Sequence, residues 1–397
     1  MRDGWRKTTL GEFLSEIARP VAVADLKEVR YAGVRLYTGG VYARESVSAR
    51  DVKTKTLTVL RQGDVTYNRM WATKASFGVA GADVDGCHVT NDFPIFEVDE
   101  SQTSGAFVKL FFESPEFQTE AAARATGTTE RRRLKQRDFL AIPVILPLPV
   151  EQRRIVDLIA SVDDAVEAAE AEASTAEVSA LDLRNMYFSE GASTTPLGKV
   201  AEVTAGKQLQ SNSTVGELTP YLRAGNIANG SLDLRVMKQM ALTETERGKL
   251  ALRNGDVVVV EGGNGFGKSA IWRASIPGVV AYQNHVLRLR TIHSRYPTAY
   301  LSHWARWCHE QGLFRATGSG IPNIGLNRAR NMPIRVSESD TLPDQLSAAS
   351  GADYAADTAR DTADALRALR SNLLTVLLSG QHGIPATYDA LLEGATA

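Results

Sequence analysis

Residues 142–155 read Ile142-Pro143-Val144-Ile145-Leu146-Pro147-Leu148-Pro149-Val150-Glu151-Gln152-Arg153-Arg154-Ile155, a short apolar run punctuated by prolines that opens into a long Ala/Glu-rich stretch. A related passage, Met332-Pro333-Ile334 and then Leu342-Pro343-Asp344-Gln345, opens a second such stretch about 190 residues later. Proline starts a helix readily and does not continue one, so each passage marks where a globular module ends and a helix begins. Other pieces return in the same order. Leu10-Gly11 reappears as Leu197-Gly198, Arg61-Gln62-Gly63-Asp64-Val65 as Arg253-Asn254-Gly255-Asp256-Val257, and Ala125-Thr126-Gly127 as Ala316-Thr317-Gly318. Ordered self-similarity without close identity is the mark of an internal duplication.

The stretches that follow are helical by their apolar spacing. Alternate steps of four and three from Ile155 land on Ile159, Val162, Val166, Ala169, Ala173, Ala176, Ala180, Leu183 and Tyr187, a heptad seam. The second stretch answers with Ala352, Ala355, Ala359, Thr362, Leu366, Leu369, Leu373 and Val376. Alanine at seam positions lets two helices approach closely, and a two-fold duplication would make the pair antiparallel. At 1.5 Å per residue each helix is ~55 Å long, against ~34 Å for a turn of duplex DNA.

The chain therefore divides into a module at 1–149, a helix at 150–190, a second module at 191–340, a second helix at 341–380 and a polar tail at 381–397. Each module reads as α+β. Val29 to Tyr37, Leu57 to Tyr67 and Phe93 to Val98 read as strands, with a helix over Ser104 to Ala125 that Pro115 interrupts. In the second module Tyr221 to Ile227, Asp256 to Glu261 and Val286 to Arg290 are the strands and Tyr300 to Gln311 the matching helix. The expected architecture is two pseudo-repeated α+β domains joined by two long helices in an antiparallel coiled coil.

With 397 residues, 43% of them hydrophobic and 23% charged, the chain has material for two or three domains with real cores. It contains no signal-peptide pattern and no apolar run of about 18 residues, so neither secretion nor a membrane span is expected and the cytoplasm is the default. Cys87 and Cys308 lie in different modules without the partners that zinc or a disulfide framework requires. The formal net charge of −1 conceals a separation: +2 over 1–149, −7 over 150–190, +8 over 191–340 and −4 over 341–397. Basic modules on acidic connectors fit a polyanion held at two places. The helices could equally be acidic because glutamate favours helix.

A Leu-Gly opening, a Gly-Asp-Val strand, a Thr-Gly-Thr or Thr-Gly-Ser loop, the run from Ile142 to Pro147 and the Glu151-Gln152-Arg153-Arg154-Ile155 helix start, most of them given twice, resemble the specificity subunit of a type I restriction-modification system over nearly the whole chain. The resemblance implies two target recognition domains reading the halves of a bipartite DNA sequence. It implies two antiparallel helices that dock two methyltransferase (modification) subunits, with restriction subunits where a nuclease is present. It also implies no catalysis in this chain: S-adenosylmethionine and ATP belong to the partner subunits. One departure is that Leu342-Pro343-Asp344-Gln345 lacks the basic residues that follow Gln152.

Gly262-Gly263-Asn264-Gly265-Phe266-Gly267-Lys268-Ser269 matches the phosphate-loop pattern and makes a nucleotide-binding protein the rival reading. A phosphate loop must feed a helix whose first amides face the phosphates. Residues 270–280 read as strand and turn instead, so a hairpin loop offering Lys268 and Ser269 to DNA is expected, with Asn68, Arg69 and Lys74 at the corresponding place in the first module. The basic loop carrying Thr128, Thr129, Arg131, Arg132, Arg133 and Lys135, and its counterpart carrying Ser319, Asn323, Arg328 and Arg330, supply donors suited to phosphates and guanine edges. Lys207, Gln208 and Asn264 complete the DNA-binding candidates. No methyltransferase tetrapeptide or convincing catalytic constellation is present, and His285 and His303 read as packing residues. The third reading is a coiled-coil adaptor that binds protein alone.

Overall fold

The computed structural model describes residues 4–127, 132–189, 193–208, 215–263, 265–273, 276–315, 323–336 and 342–390. It forms two compact units: unit 1 comprises Met1–Ala168 and Thr362–Ala397, unit 2 Ala169–Asp361. Among the described residues no helix is long and apolar enough to cross a membrane.

Unit 1 begins with β1 (Arg6–Thr9), β2 (Leu14–Ile17), β3 (Pro20–Ala22), β4 (Glu28–Val34), β5 (Val41–Ser48), β6 (Thr56–Val59), β7 (Val65–Tyr67), β8 (Phe77–Val79), β9 (His88–Val89) and β10 (Ile95–Val98). Helices α1 (Gly105–Glu113), α2 (Pro115–Arg124) and α3 (Gln136–Leu140) follow, then β11 (Pro143–Leu146) and the long α4 (Pro149–Phe188). The expected strand Leu57 to Tyr67 is two strands, because Gly63 takes φ +88° and closes a turn with Asp64 N on Arg61 O at 3.1 Å. The expected helix over Ser104 to Ala125 breaks at Ser114, whose extended backbone ends α1 while its hydroxyl caps α2 by accepting from Phe117 N at 3.3 Å.

Unit 2 repeats the plan with β12 (Thr194–Pro196), β13 (Ala201–Ala205), β14 (Glu217–Leu222), β15 (Lys238–Leu242), α5 (Glu244–Leu250), β16 (Val257–Val260), β17 (Ser269–Ile271), β18 (Ala281–Tyr282), β19 (Val286–Thr291), α6 (Thr298–Glu310), α7 (Leu326–Asn331), β20 (Pro333–Arg335) and the long α8 (Leu342–Leu378). The antiparallel sheet β2-β10-β7-β8 corresponds to β13-β19-β16-β17, and the pair β1-β11 to β12-β20. The parallel contact of β4 with β9 corresponds to that of β14 with β18.

The repeated tripeptides now have physical roles. Leu10 and Leu197 are fully buried and donate their amides to Ile142 O (3.1 Å) and Met332 O (2.9 Å), so the Leu-Gly and Ile/Met-Pro motifs clasp each other. A β-carbon on Gly11 or Gly198 would lie 3.3 Å from the carbonyl oxygen of Leu140 or Arg330, which is why a glycine sits there. Asp64 and Asp256 are buried carboxylates that accept from the amides of Arg61 (2.6 Å) and Arg253 (2.7 Å). Each is neutralised by an arginine, Arg19 at 2.5 Å for Asp64 and bidentate Arg290 at 2.7 Å for Asp256.

Within each unit the long helices run antiparallel. In unit 1, Ile155 and Ile159 of α4 share a core with Leu374 and Leu377 of α8, and Arg370 pairs with Asp163. In unit 2, Tyr187 packs in the core that holds Leu346, Arg360 pairs with Glu177, and Arg184 with Asp353. The α4 seam follows the expected positions except that Arg184, 2% exposed, replaces Leu183. The α8 seam keeps the expected Ala359 and half-buried Leu366 but elsewhere shifts by one residue. Leu346, Ala349, Ala356, Ala363, Leu374 and Leu377 are buried, with Asp353 and Arg370 half-buried on the same side, whereas Thr362, Leu369 and Val376 are exposed. Arginine stems bury apolar length while their charged ends reach across to the other helix, so charged residues occupy positions that an apolar pattern skips.

Arg184 centres a buried ionic cluster in unit 2. Its guanidinium donates to both Glu310 oxygens (2.9 and 2.6 Å) and to Asp353 (2.9 Å), and Arg306 holds the other Asp353 oxygen at 2.7 Å. Burial works against the Arg184 charge, but Glu310 and Asp353 more than offset it and hold the group above its ordinary value. His303 lies beside them with Nε2 3.0 Å from Ser350 Oγ. Burial, opposed by Asp353 and reinforced by Arg184 and Arg306, pushes its pKa down from 6.5 to about 4. The unfolded chain takes up this proton as pH falls through 6.5, while the folded site refuses it until about pH 4. The stabilisation is therefore complete above pH 6.5 and shrinks as pH drops toward 4. A His303→Gln chain should show a shallower fall in urea midpoint between pH 7 and 5 than the parent; parallel curves would refute the assignment.

Candidate nucleic-acid interface

The phosphate-loop string is a β-hairpin. Val259 pairs with Ser269 across β16 and β17, and Gly267 N returns to Val260 O at 2.9 Å, so no helix follows the glycines. Gly263, Gly265 and Gly267 have φ of +83°, +91° and +82°, and a β-carbon on Gly267 would come within 2.9 Å of His309 and Phe314. The glycines serve a tight loop against α6. They do not cradle a phosphate before a helix.

The hairpin of β7 and β8 is its counterpart and shares three of its tying hydrogen bonds. Asn68 N donates to Ser76 O (3.0 Å) as Val260 N does to Lys268 O (2.8 Å). Arg69 N donates to Asp92 O (3.0 Å) as Glu261 N does to His285 O (2.9 Å). Leu134 N reaches Arg69 O (3.0 Å) as Ile324 N reaches Glu261 O (2.9 Å). Each hairpin is thereby stitched to the chain following the Thr-Gly loop. Equivalent places carry unlike chemistry, Arg69 in one and Glu261 in the other. Burial raises the Glu261 carboxyl above its usual range against the pull of His285.

The named residues sort by what already occupies them. Ser269 is fully buried in β17 and leaves the set, since strand pairing turns its hydroxyl into the core. Asn68, 9% exposed, uses its side chain to accept from Met70 N at 3.0 Å and so holds the hairpin turn. Arg132 caps Ala125 O at 2.6 Å, Arg330 caps Val203 O at 2.9 Å, Arg328 reaches Arg315 O at 3.0 Å and Lys207 pairs with Glu246 at 2.7 Å. Lys74, Arg133, Lys135, Gln208 and Asn323 are exposed, with Arg133 near Asp92 at 3.5 Å; Arg69 and Lys268 are half-buried. Thr128, Thr129, Arg131, Asn264 and Ser319 lie outside the described residues.

Unit 1 brings Arg69, Lys74 and Arg133 to one hairpin, with Arg133 Nη2 3.6 Å from Met70 Sδ. Trp71, half exposed beneath the Lys74 ammonium at 4.8 Å, belongs to this surface and was missed; a single tryptophan in a turn gives no period to detect. Among the described residues no group of three His, Cys, Asp or Glu side chains is placed to hold a metal. Both cysteines are buried and free.

Two copies of one α+β module, each displaying a hairpin and each packed on segments of paired helices, define a duplicated scaffold with one exposed loop edge per copy. No protein-family model and no curated protein matches the chain. Solved structures do. A chain of a type I restriction-modification system, from work on complex assembly and conformational transition, superposes with a TM-score of 0.61 at 15% identity over 96% of this chain and 99% of that one. The type I restriction-modification S subunit from M. genitalium superposes with a TM-score of 0.56 at 13% identity, over 94% and 96%. The chain has the fold of a type I S subunit.

Proposed function

We propose that this chain is the non-catalytic DNA-specificity subunit of a type I restriction-modification system. Its two modules read unlike halves of a bipartite duplex target, and its helices set the spacing and dock two methyltransferase subunits, with restriction subunits where a nuclease is encoded. S-adenosylmethionine and ATP are held by those partners, and the complex works in the cytoplasm. The observation that carries the reading is a module given twice, with the same four-stranded sheet and strand pair but different side chains at equivalent loop positions, on a fold shared with a solved S subunit. One backbone plan with two surface chemistries is what an asymmetric target demands, because base edges are read by side chains while the scaffold only positions them.

The rival nucleotide-binding reading loses its helix at 270–280, and the adaptor reading leaves two basic modules without a use. Lys268→Ala separates all three. DNA affinity should weaken about uniformly across sequences, and the slope of log affinity against log salt should fall by roughly 1, as expected on losing one phosphate contact. Loss of ATP binding by the wild-type standard would support the nucleotide reading, and salt-independent or absent DNA binding by the wild type would support the adaptor.

A further inference from the structure

Two consecutive non-glycine residues in unit 1 hold left-handed backbone, Tyr37 at φ +54° and Thr38 at φ +57°, and Ala75 on the neighbouring hairpin does the same at φ +51°. L-residues avoid this region because the β-carbon crowds the following carbonyl, and a β-branched threonine avoids it more than most. The conformation persists because it is tied down from both sides. Tyr37 N donates to Lys74 O and Thr38 N to Ala75 O, each at 2.8 Å, while Arg35 N closes the loop on Gly40 O at 2.9 Å. The connection from β4 to β5 is thus docked along the hairpin of β7 and β8.

The strain holds Tyr37 in water. Its side chain remains 74% exposed, in a module whose other large aromatic rings are mostly buried. The hairpin it docks on carries Trp71, 38% exposed under Lys74, and its own loop carries Arg35, stacked 4.5 Å from the Tyr42 ring. Arg133 reaches the same hairpin at Met70. Strained backbone that exposes an aromatic ring among cations is where recognition is expected to reside. The equivalent connection in unit 2, between β14 and β15, docks through Gly230 N on Ser269 O at 2.7 Å and exposes Arg235 and Val236 instead of a tyrosine.

Resting on the DNA-reading function above, we propose that Tyr37 reads a base pair in the half-site of the first module, with Lys74 and Arg133 on flanking phosphates. A tyrosine brings an apolar face that fits a thymine methyl and a hydroxyl that donates or accepts at a base edge. Only two torsions must be frozen, and the strained loop has already aimed the ring. Lys74, whose carbonyl holds the Tyr37 amide, and Arg133 on the same hairpin bring positive charge that complements phosphates beside a groove.

The test passes the full-length chain over a pool of randomised duplexes and sequences the bound fraction. Tyr37→Ala should relax base preference at one or two positions of one half-site by about 10-fold, with the other half-site and the thermal midpoint unchanged. Thr38→Gly should keep or raise the thermal midpoint by relieving strain, yet weaken preference at those same positions. Unchanged preferences in Tyr37→Ala, or equal weakening on every sequence with a shallower salt slope, would overturn the inference. If the wild type enriches no motif at all, it is the DNA-reading function that fails.

Discussion

Arg184→Ala is expected to lower the stability of unit 2 by about 3–5 kcal/mol, because it strips the Glu310 carboxylate of its buried cation and leaves Asp353 with Arg306 alone. Glu310 and Asp353 have side chains only 18% and 12% exposed, and Arg184 itself 2%. The residue joins α4 to α6 and to α8 at once, so truncation removes the guanidinium and three charge-assisted hydrogen bonds together. Surface pairs such as Arg235 with Asp233 sit in water and are worth ~0–1 kcal/mol. Urea unfolding followed by tryptophan fluorescence, to which Trp272, Trp304 and Trp307 contribute in unit 2, reads the difference. A loss below about 1 kcal/mol would place Arg184 in the weak class of surface pairs and remove the cluster as the tie between α6 and the helices.

Removing one heptad from both α4 and α8 should abolish binding to the parental target and transfer it to one whose spacer is shorter by about three base pairs. Seven residues at 1.5 Å each shorten a helix by ~10 Å, and duplex DNA rises ~3.4 Å per base pair. A whole heptad preserves the seam, and the buried Ala169 and Ala173 of α4 and Ala356 and Ala363 of α8 mark the alanine-rich stretches where a cut falls among small residues. Removing three or four residues would turn Arg184 or Asp353 out of register and should unfold the helix ends. The half-site sequences themselves should not change. A heptad-shortened chain that still selects the original spacer would refute the helices as the device that sets it.

How much of this could be read from residues alone depends on whether the physics is local. The α4 seam was legible because Ile155, Ile159 and the alanines repeat with the helical period. Much of the α8 seam was misplaced by one residue because Asp353 and Arg370 lie along it, and an arginine becomes a seam residue only once Asp163 stands opposite. Gly-Asp-Val was legible as a recurring anchor but not as a buried carboxylate, since the arginines that neutralise it come from Arg19 in one module and Arg290 in the other. The hairpin at 262–269 was legible because no helix-forming sequence follows it. Tyr37 was not, because Gly39 and Gly40 announce a turn without saying that two residues before them are forced left-handed.

Unit 1 is finished by residues that follow unit 2 in the chain. Ile384 N donates to Glu151 Oε1 at 3.0 Å, and Asp389 takes Arg154 in a two-pronged grip at 2.7 and 2.5 Å, across separations of 233 and 235 positions. Unit 2 lies wholly within the intervening sequence. On a ribosome, where domains mature as they emerge, the first module must wait with its helix surface bare while the second is made, and it closes only once the segment around Ile384 and Asp389 has emerged. The module that precedes is sealed after the one that follows it, and a chain interrupted between them leaves it unsealed.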